Sequence, residues 1–337
     1  MQVDKTTLAD LSIFHSEEEQ SVFHHLNFTQ TNGGREYLRR LLGNPLDAIP
    51  EILDTQQTIQ QLMLVAKDWP ITVTNGTIMV MERFYESQIN HFTNHPNAIN
   101  SVWYKLINGP DYSLIRYTVE HAIDFTKGLQ QITDLLKNQT MSRQLTTWTS
   151  RMALLLNKPV LQEMMLADKK KLTPGQVLRY GGFIRYHFKN NCVELVDIYS
   201  KFDAYLSIAR ACQKYRFCFP EFTQNTAPFI KQTGLYHMLI EQPVAYDIDL
   251  SVDKNFIFLT GANMAGKSTF IKAVGVAVYL AHLGMGVPAK EMQLSFFDGL
   301  LSNIQVVDNI IKGESFFFNE VQRIKSTIEK ISDGRKW

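Results

Sequence analysis

The chain has 337 residues, enough for two cores, because domains typically run to roughly 100–200 residues. Its 34 basic and 33 acidic side chains leave a net charge of +1, so no global field draws it to nucleic acid or to an anionic membrane, and any DNA contact has to come from a local patch. Three cysteines, Cys192, Cys212 and Cys218, form no C-x-x-C pair and leave one over however they are paired, which indicates neither a disulfide framework nor a zinc module and suits core residues of a cytoplasmic protein.

The start, Met1-Gln-Val-Asp-Lys-Thr-Thr, lacks the charged-then-apolar layout of a signal peptide. The first 220 or so residues read as mainly helical. Ser16 with Glu19 has the form of a capping box, followed by Val22, Phe23 and Leu26 on one face. A helix is predicted over 35–42, ending at Gly43-Asn44-Pro45. Pro50 then suits the first turn of a longer helix with Ile52, Leu53, Ile59, Leu62 and Ala66 on its apolar side. Between Trp69 and Pro174 the pattern is less regular, and Asn75-Gly76, 94–97 and Asn108-Gly109-Pro110 read as turns. The stretch 193–215 is again helical, with Val196, Tyr199, Phe202, Leu206 and Ala209 on one side. A domain boundary is expected near 225–231, separating a helical domain over 1–228 from a phosphate-loop domain over 229–337.

The second part opens on Asn255-Phe-Ile-Phe-Leu-Thr260, whose apolar, branched and aromatic run predicts a buried strand of a parallel sheet. It feeds Gly261-Ala262-Asn263-Met264-Ala265-Gly266-Lys267-Ser268-Thr269, which satisfies G-x-x-x-x-G-K-[ST]. A helix is expected next, with Phe270, Val274, Ala277, Val278 and Ala281 at helical spacing and Gly284 as its stop. Strand, glycine loop and helix together make an anion site. Glycine lets backbone N–H groups converge, and the helix directs its positive end at the same phosphates. Lys267 is placed to neutralise the β- and γ-phosphates of ATP, and the Ser268 hydroxyl to complete a Mg2+ shell. The apolar window 273–287 is shorter than the roughly 20 residues that span a bilayer, and reads as part of the buried helix.

Beyond it, 292–297 reads as a strand, and 314–331 as a helix with Phe317, Val321, Ile324, Ile328 and Ile331 in register. A P-loop ATPase needs an apolar strand that ends in an acidic residue to hold magnesium. Asp298 and Asp308 follow only Phe-Phe and Val-Val, so the domain is expected to stop before its second acidic motif, with ATPase activity conditional on residues that complete it.

The residues Thr260–Thr269, Leu283-Gly-Met-Gly-Val-Pro-Ala289 and Asp308-Asn-Ile-Ile-Lys-Gly-Glu-Ser-Phe-Phe-Phe-Asn-Glu320 together resemble the MutS family, the ATPases of DNA mismatch repair and their relatives. Residues 29–46 are similar to that family's helical core, and 237–249 to the segment entering its ATPase domain; the likeness is faint from 70 to 175. The resemblance implies an α/β P-loop, ABC-type ATPase domain, truncated, behind a mainly α-helical core. It implies that residues 261–269 bind ATP and Mg2+, the metal through Ser268, in a homodimer joined through the ATPase domain. It also implies that Ser315 reaches the γ-phosphate held by the partner subunit, and that Val244 meets the adenine where the family often has an aromatic ring. Ala262 stands for the family's usual proline, Ala265 for a glycine and Phe316 for a threonine. No mismatch-reading domain precedes Met1 in this sequence, and 70–175 shows little of the basic, β-rich clamp that grips DNA.

Other features read as ordinary surface or core. His91 and His95 lack the cysteine or carboxylate companions of a metal site, Lys169-Lys170-Lys171 suits a solvated loop, and Arg35, Arg39 and Arg40 suit structural ion pairs on one helix. The expected function is therefore a dimeric, MutS-like protein that couples ATP binding and hydrolysis to DNA binding. The alternative is a nucleotide-dependent switch module without mismatch recognition. A transporter-type ATPase is disfavoured because Gly313-Glu-Ser315 does not have the L-S-G-G-Q form.

Overall fold

A computed structural model describes residues 1–92, 97–137, 140–223, 227–304 and 316–332, the side chains of 316–319 excepted. In chain order the elements are β1 (Gln2–Val3), α1 (Lys5–Asp10), α2 (Val22–Leu26), α3 (Asn32–Gly43), α4 (Ile49–Val65), α5 (Asn75–Glu86), α6 (Ala98–Ile107), α7 (Gly109–Leu136), α8 (Arg143–Leu156), α9 (Pro159–Leu166), α10 (Pro174–His187) and α11 (Lys189–Tyr215). There follow β2 (Glu221–Phe222), β3 (Ile230–Leu235), β4 (Tyr246–Leu250), α12 (Lys267–His282), β5 (Glu291–Leu294), β6 (Gly299–Leu300) and α13 (Phe316–Ile331). The described residues are mostly helical, with two small sheets. Among the described residues no helix is long and apolar enough to cross a membrane.

The chain divides into two compact units, neither of them one continuous stretch: Met1–Phe28, Leu38–Met63 and Tyr205–Trp337 form one, and Thr29–Tyr37 with Leu64–Ala204 the other. In the second unit the core is built on α7, which buries Ile115, Val119, Ile123, Leu129 and Ile132. The buried Thr118, Thr126 and Thr133 on the same helix donate their hydroxyls to the carbonyls of Leu114, Ala122 and Leu129, so they occupy the core without an unpaired polar atom. Asp203, at the middle of α11 and 1% exposed, accepts from the backbone N–H of Gln30, the N–H of Thr31 and the Thr31 hydroxyl at 2.7–3.0 Å, anchoring the entry to α3.

In the first unit β2, β5, β3 and β4 form a four-stranded sheet in that order; β2 runs parallel to β5, and β3 antiparallel to both its neighbours. β1 and β6 pair in parallel as a second sheet. Helix α12 is the centre of the unit, burying Ala273, Val276, Ala277, Val278, Tyr279, Leu280 and Ala281. At its end Gly284 adopts a left-handed φ of 69°, and a Cβ there would meet the Ile52 carbonyl at 2.8 Å and the Thr55 Cβ at 2.7 Å. The helix stop and the close approach of α4 thus both require glycine.

Several expectations shift. The cap of α2 is Ser21, whose hydroxyl accepts from His24 N–H, because Glu18–Gln20 form a separate 3-10 turn between Ser16 and the helix. Asn75-Gly76 and Asn108-Gly109-Pro110 are helix starts rather than free turns. Thr74 caps α5, and Pro110 lies in the first turn of α7, where its missing N–H costs nothing. Leu53, expected on the buried face of α4, is 48% exposed, whereas Ile52, Ile59 and Leu62 are buried. Asn255–Thr260 carries no strand, and Phe256, Ile257, Phe258 and Leu259 are all exposed. A parallel strand exists only where neighbours complete its ladder, and the described residues supply none there.

Candidate functional site

The phosphate-loop sequence sits at the amino end of α12. Gly266 caps the helix with a φ of 89°, a conformation that a side chain would strain, and it offers no side-chain acceptor to the first-turn amides. Gly261 and Met264 also have positive φ, and Ala265 N–H closes a turn on the Ala262 carbonyl at 3.3 Å. The loop therefore changes hand repeatedly before the helix begins. Its residues 261–265 are exposed, Met264 fully so.

Lys267, the first residue of α12, curls back over the loop. Its Nζ donates to the carbonyls of Gly261 and Ala262, both at 2.7 Å. The ammonium is thus held over the loop at the surface, and carbonyls are acceptors that a more basic oxyanion would displace. Ser268 is exposed and Thr269 half-buried in the same first turn. One ammonium, two hydroxyls and free helix amides form a donor set suited to a polyanion, with Ser268 as the hydroxyl available to a divalent cation. Among the described residues no cluster of histidine, cysteine and carboxylate forms a metal site of its own.

Tyr246, at the start of β4, was not singled out from sequence. Its ring meets Phe270 of α12 edge-on at 5.3 Å, and its hydroxyl lies 3.9 Å from the point where a Gly266 Cβ would stand. Tyr246 therefore borders the loop. Its only signal in the sequence is its place two residues after Val244, which is itself 69% exposed. Ser315 lies outside the described residues, as do Gly313, Glu314 and Asp308.

Behind the loop a cavity of about 310 Å³ is lined by Leu11, Ile257, Leu259, Phe270, Val274 and Leu300, among others. It carries no cationic side chain, so it is not the anion site. The far end of α12 is fixed by His282, which is wholly buried: its Nδ1–H donates to the Val278 carbonyl at 2.9 Å and its Nε2 accepts from Phe297 N–H at 3.0 Å. Burial pushes its pKa down to about 4.

The remaining candidates are structural. Lys169 pairs with Asp124 at 2.6 Å, and Arg39 lies over the rings of Phe14 and Phe23 at 5.0 and 5.4 Å. His91 stacks on Tyr186, and His95 is outside the described residues. Cys192 and Cys212 are buried thiols pushed up to about 12 by desolvation, which makes them poor nucleophiles.

A glycine loop of mixed hand, opening a helix whose first residue is a lysine folded over it, defines a candidate anion-binding loop–helix unit. Residues 257–335, which contain this unit, match MutS domain V. The chain is 34% identical over 139 residues to a DNA mismatch repair protein MutS of Petrotoga mobilis, covering 40% of this chain and 17% of the relative. It is 30% identical over 226 residues to the DNA mismatch repair protein MSH3 of Vanderwaltozyma polyspora, covering 65% of this chain and 21% of that protein. A MutS of Staphylococcus haemolyticus is 33% identical over 155 residues. These matches relate the chain to the MutS family, with residues 257–335 corresponding to its domain V. The chain spans about a fifth of the length of the curated relatives it matches.

Proposed function

We propose that this chain carries the nucleotide-binding part of a MutS-like ATPase, in which ATP binding in a dimer is coupled to DNA binding. The observation that carries the reading is the pairing of Gly266 in a left-handed conformation with Lys267 folded over the loop at the start of α12. Residues 261–269 hold the phosphates through backbone amides and Lys267, Ser268 contributes to the magnesium shell, and Tyr246 borders the phosphates as Val244 makes an apolar contact with the base. Magnesium, when bound with ATP, supplies charge neutralisation that one lysine does not. Lys267 exchanges its two carbonyl acceptors for phosphate oxygens, a change from neutral to charge-assisted hydrogen bonds.

Lys267→Ala is expected to weaken ATP binding at least tenfold by calorimetry, about 1.4 kcal/mol, while leaving the melting temperature unchanged because the side chain is at the surface. Equal affinity in both proteins would overturn the assignment. The second reading, a nucleotide-dependent switch without mismatch recognition, is favoured by one observation: the described residues between 75 and 187 form helices and no strand, so a β-rich clamp is not built there. It predicts DNA binding that falls steeply with salt and does not distinguish a mismatch from a perfect duplex. A tenfold preference for the mismatch would overturn that reading.

A further inference from the structure

Helix α6 turns its small and polar side inward. Ser101 is its buried residue, 1% exposed, with the hydroxyl donated to the Asn97 carbonyl at 2.8 Å. Tyr104 packs on Phe92 and donates to the Asn90 carbonyl. The outer face is apolar throughout: Ile99 is 70% exposed, Val102 49%, Trp103 59%, Leu106 73% and Ile107 69%. These positions fall at i, i+3, i+4, i+7 and i+8, one continuous stripe along the helix. Scattered surface apolar side chains need no explanation, but a contiguous stripe of this kind marks an interaction surface.

We propose that α6 is a self-association surface, docking antiparallel against α6 of a second copy of this chain across a two-fold axis. The stripe is self-complementary. Trp103 is at its centre, four residues from both Ile99 and Ile107, so a two-fold axis through Trp103 sets the two tryptophans against each other and Ile99 against the partner's Ile107. One tryptophan and four aliphatic side chains at these exposures present on the order of 500 Å², so two copies together remove at most about 1,000 Å² from water, the threshold of a specific interface.

Charge does not oppose the pairing. The only charged residue of α6, Lys105, has its Nζ over the Tyr112 ring of its own chain at 5.6 Å, and the whole chain carries only +1. The same scarcity of charge argues against a lipid surface, since helices that lie on membranes carry lysine and arginine along their polar face. This contact is distinct from nucleotide-linked pairing through the loop domain, and does not depend on the function proposed above.

Sedimentation of the full chain without nucleotide tests it. The wild type is expected to show a concentration-dependent dimer, unchanged in Lys267→Ala. Trp103→Glu combined with Leu106→Glu is expected to weaken the dimer at least tenfold, since central aromatic residues dominate such contacts. Should the charged variant fail to fold by circular dichroism, the double variant Ile99→Cys with Ile107→Cys, which keeps Trp103, decides. On mild oxidation it should form a covalent dimer well above the wild-type background, because the axis sets residue 99 against residue 107 of the second copy, while Cys192 and Cys212 are buried and the half-buried Cys218 is common to both proteins. A monomeric wild type, a dimer that forms only with ATP, a folded charged variant that still dimerises, or no additional cross-link in the double-cysteine variant would each overturn the proposal.

Discussion

Acidification from neutral pH should destabilise the protein through one buried side chain, His282. It is fully buried at the carboxyl end of α12, with Phe222, Phe296 and Phe297 around it at ring distances of 5.4, 5.2 and 6.0 Å. Both ring nitrogens are committed: Nδ1 donates to Val278 and Nε2 accepts from Phe297 N–H. That network assigns the neutral imidazole. A second proton would set an N–H against an N–H and place a charge among aromatic rings, which is why burial holds the pKa at about 4. In the unfolded chain the same group titrates near 6.5. Between these values the unfolded state binds a proton that the folded state refuses, so stability falls as pH drops through the window. The slope approaches roughly 1.4 kcal/mol per pH unit, and the loss reaches about 3 kcal/mol near pH 4. Above about pH 6.5 this residue contributes no pH dependence, and below about 4 it adds no further loss.

Urea unfolding across this range, for the wild type and for His282→Gln, isolates the effect. Glutamine retains a donor and an acceptor but does not titrate. His25 and His237, both also held down by burial, cancel in the difference. The difference in unfolding free energy between the two proteins should change by about 3 kcal/mol across the window, in the sense that the variant gains on the wild type as pH falls. A difference that stays flat, or an NMR titration placing His282 near its unfolded value, would refute the reasoning.

Two further perturbations test the packing that positions the site and the second unit's core. Asp203→Ala removes the acceptor of two backbone N–H groups and a hydroxyl at the start of α3, and should cost on the order of 3 kcal/mol, read as a fall in melting temperature that Asp203→Asn only partly spares. Gly284→Ala forces a side chain into a left-handed turn and against the Ile52 carbonyl and Thr55, and should cost about 2–4 kcal/mol, again read by thermal unfolding; an unchanged melting temperature would show that α4 yields freely.

What the sequence by itself determined is what neighbouring residues determine. The loop 261–269 and helix α12 were legible because glycine spacing and a 3.6-residue repeat act within a few positions, and α4, α11 and α13 were legible for the same reason. The family, too, was legible, since its motifs are short and contiguous. Only the tertiary structure decided which elements share a unit: α1, α2 and α4 fall with residues 205–337, across more than a hundred intervening positions of the chain. It decided that Asp203, 172 positions from Thr31, secures the start of α3. It turned the apolar face of α6 outward, in a stretch whose pattern reads as irregular, and left Asn255–Thr260 without a ladder, although that run reads as a buried strand. The physical reason is common to all of these. Helical periodicity records that a face is apolar, but burial and strand pairing require a second surface, and that surface comes from a distant part of the chain or from another molecule.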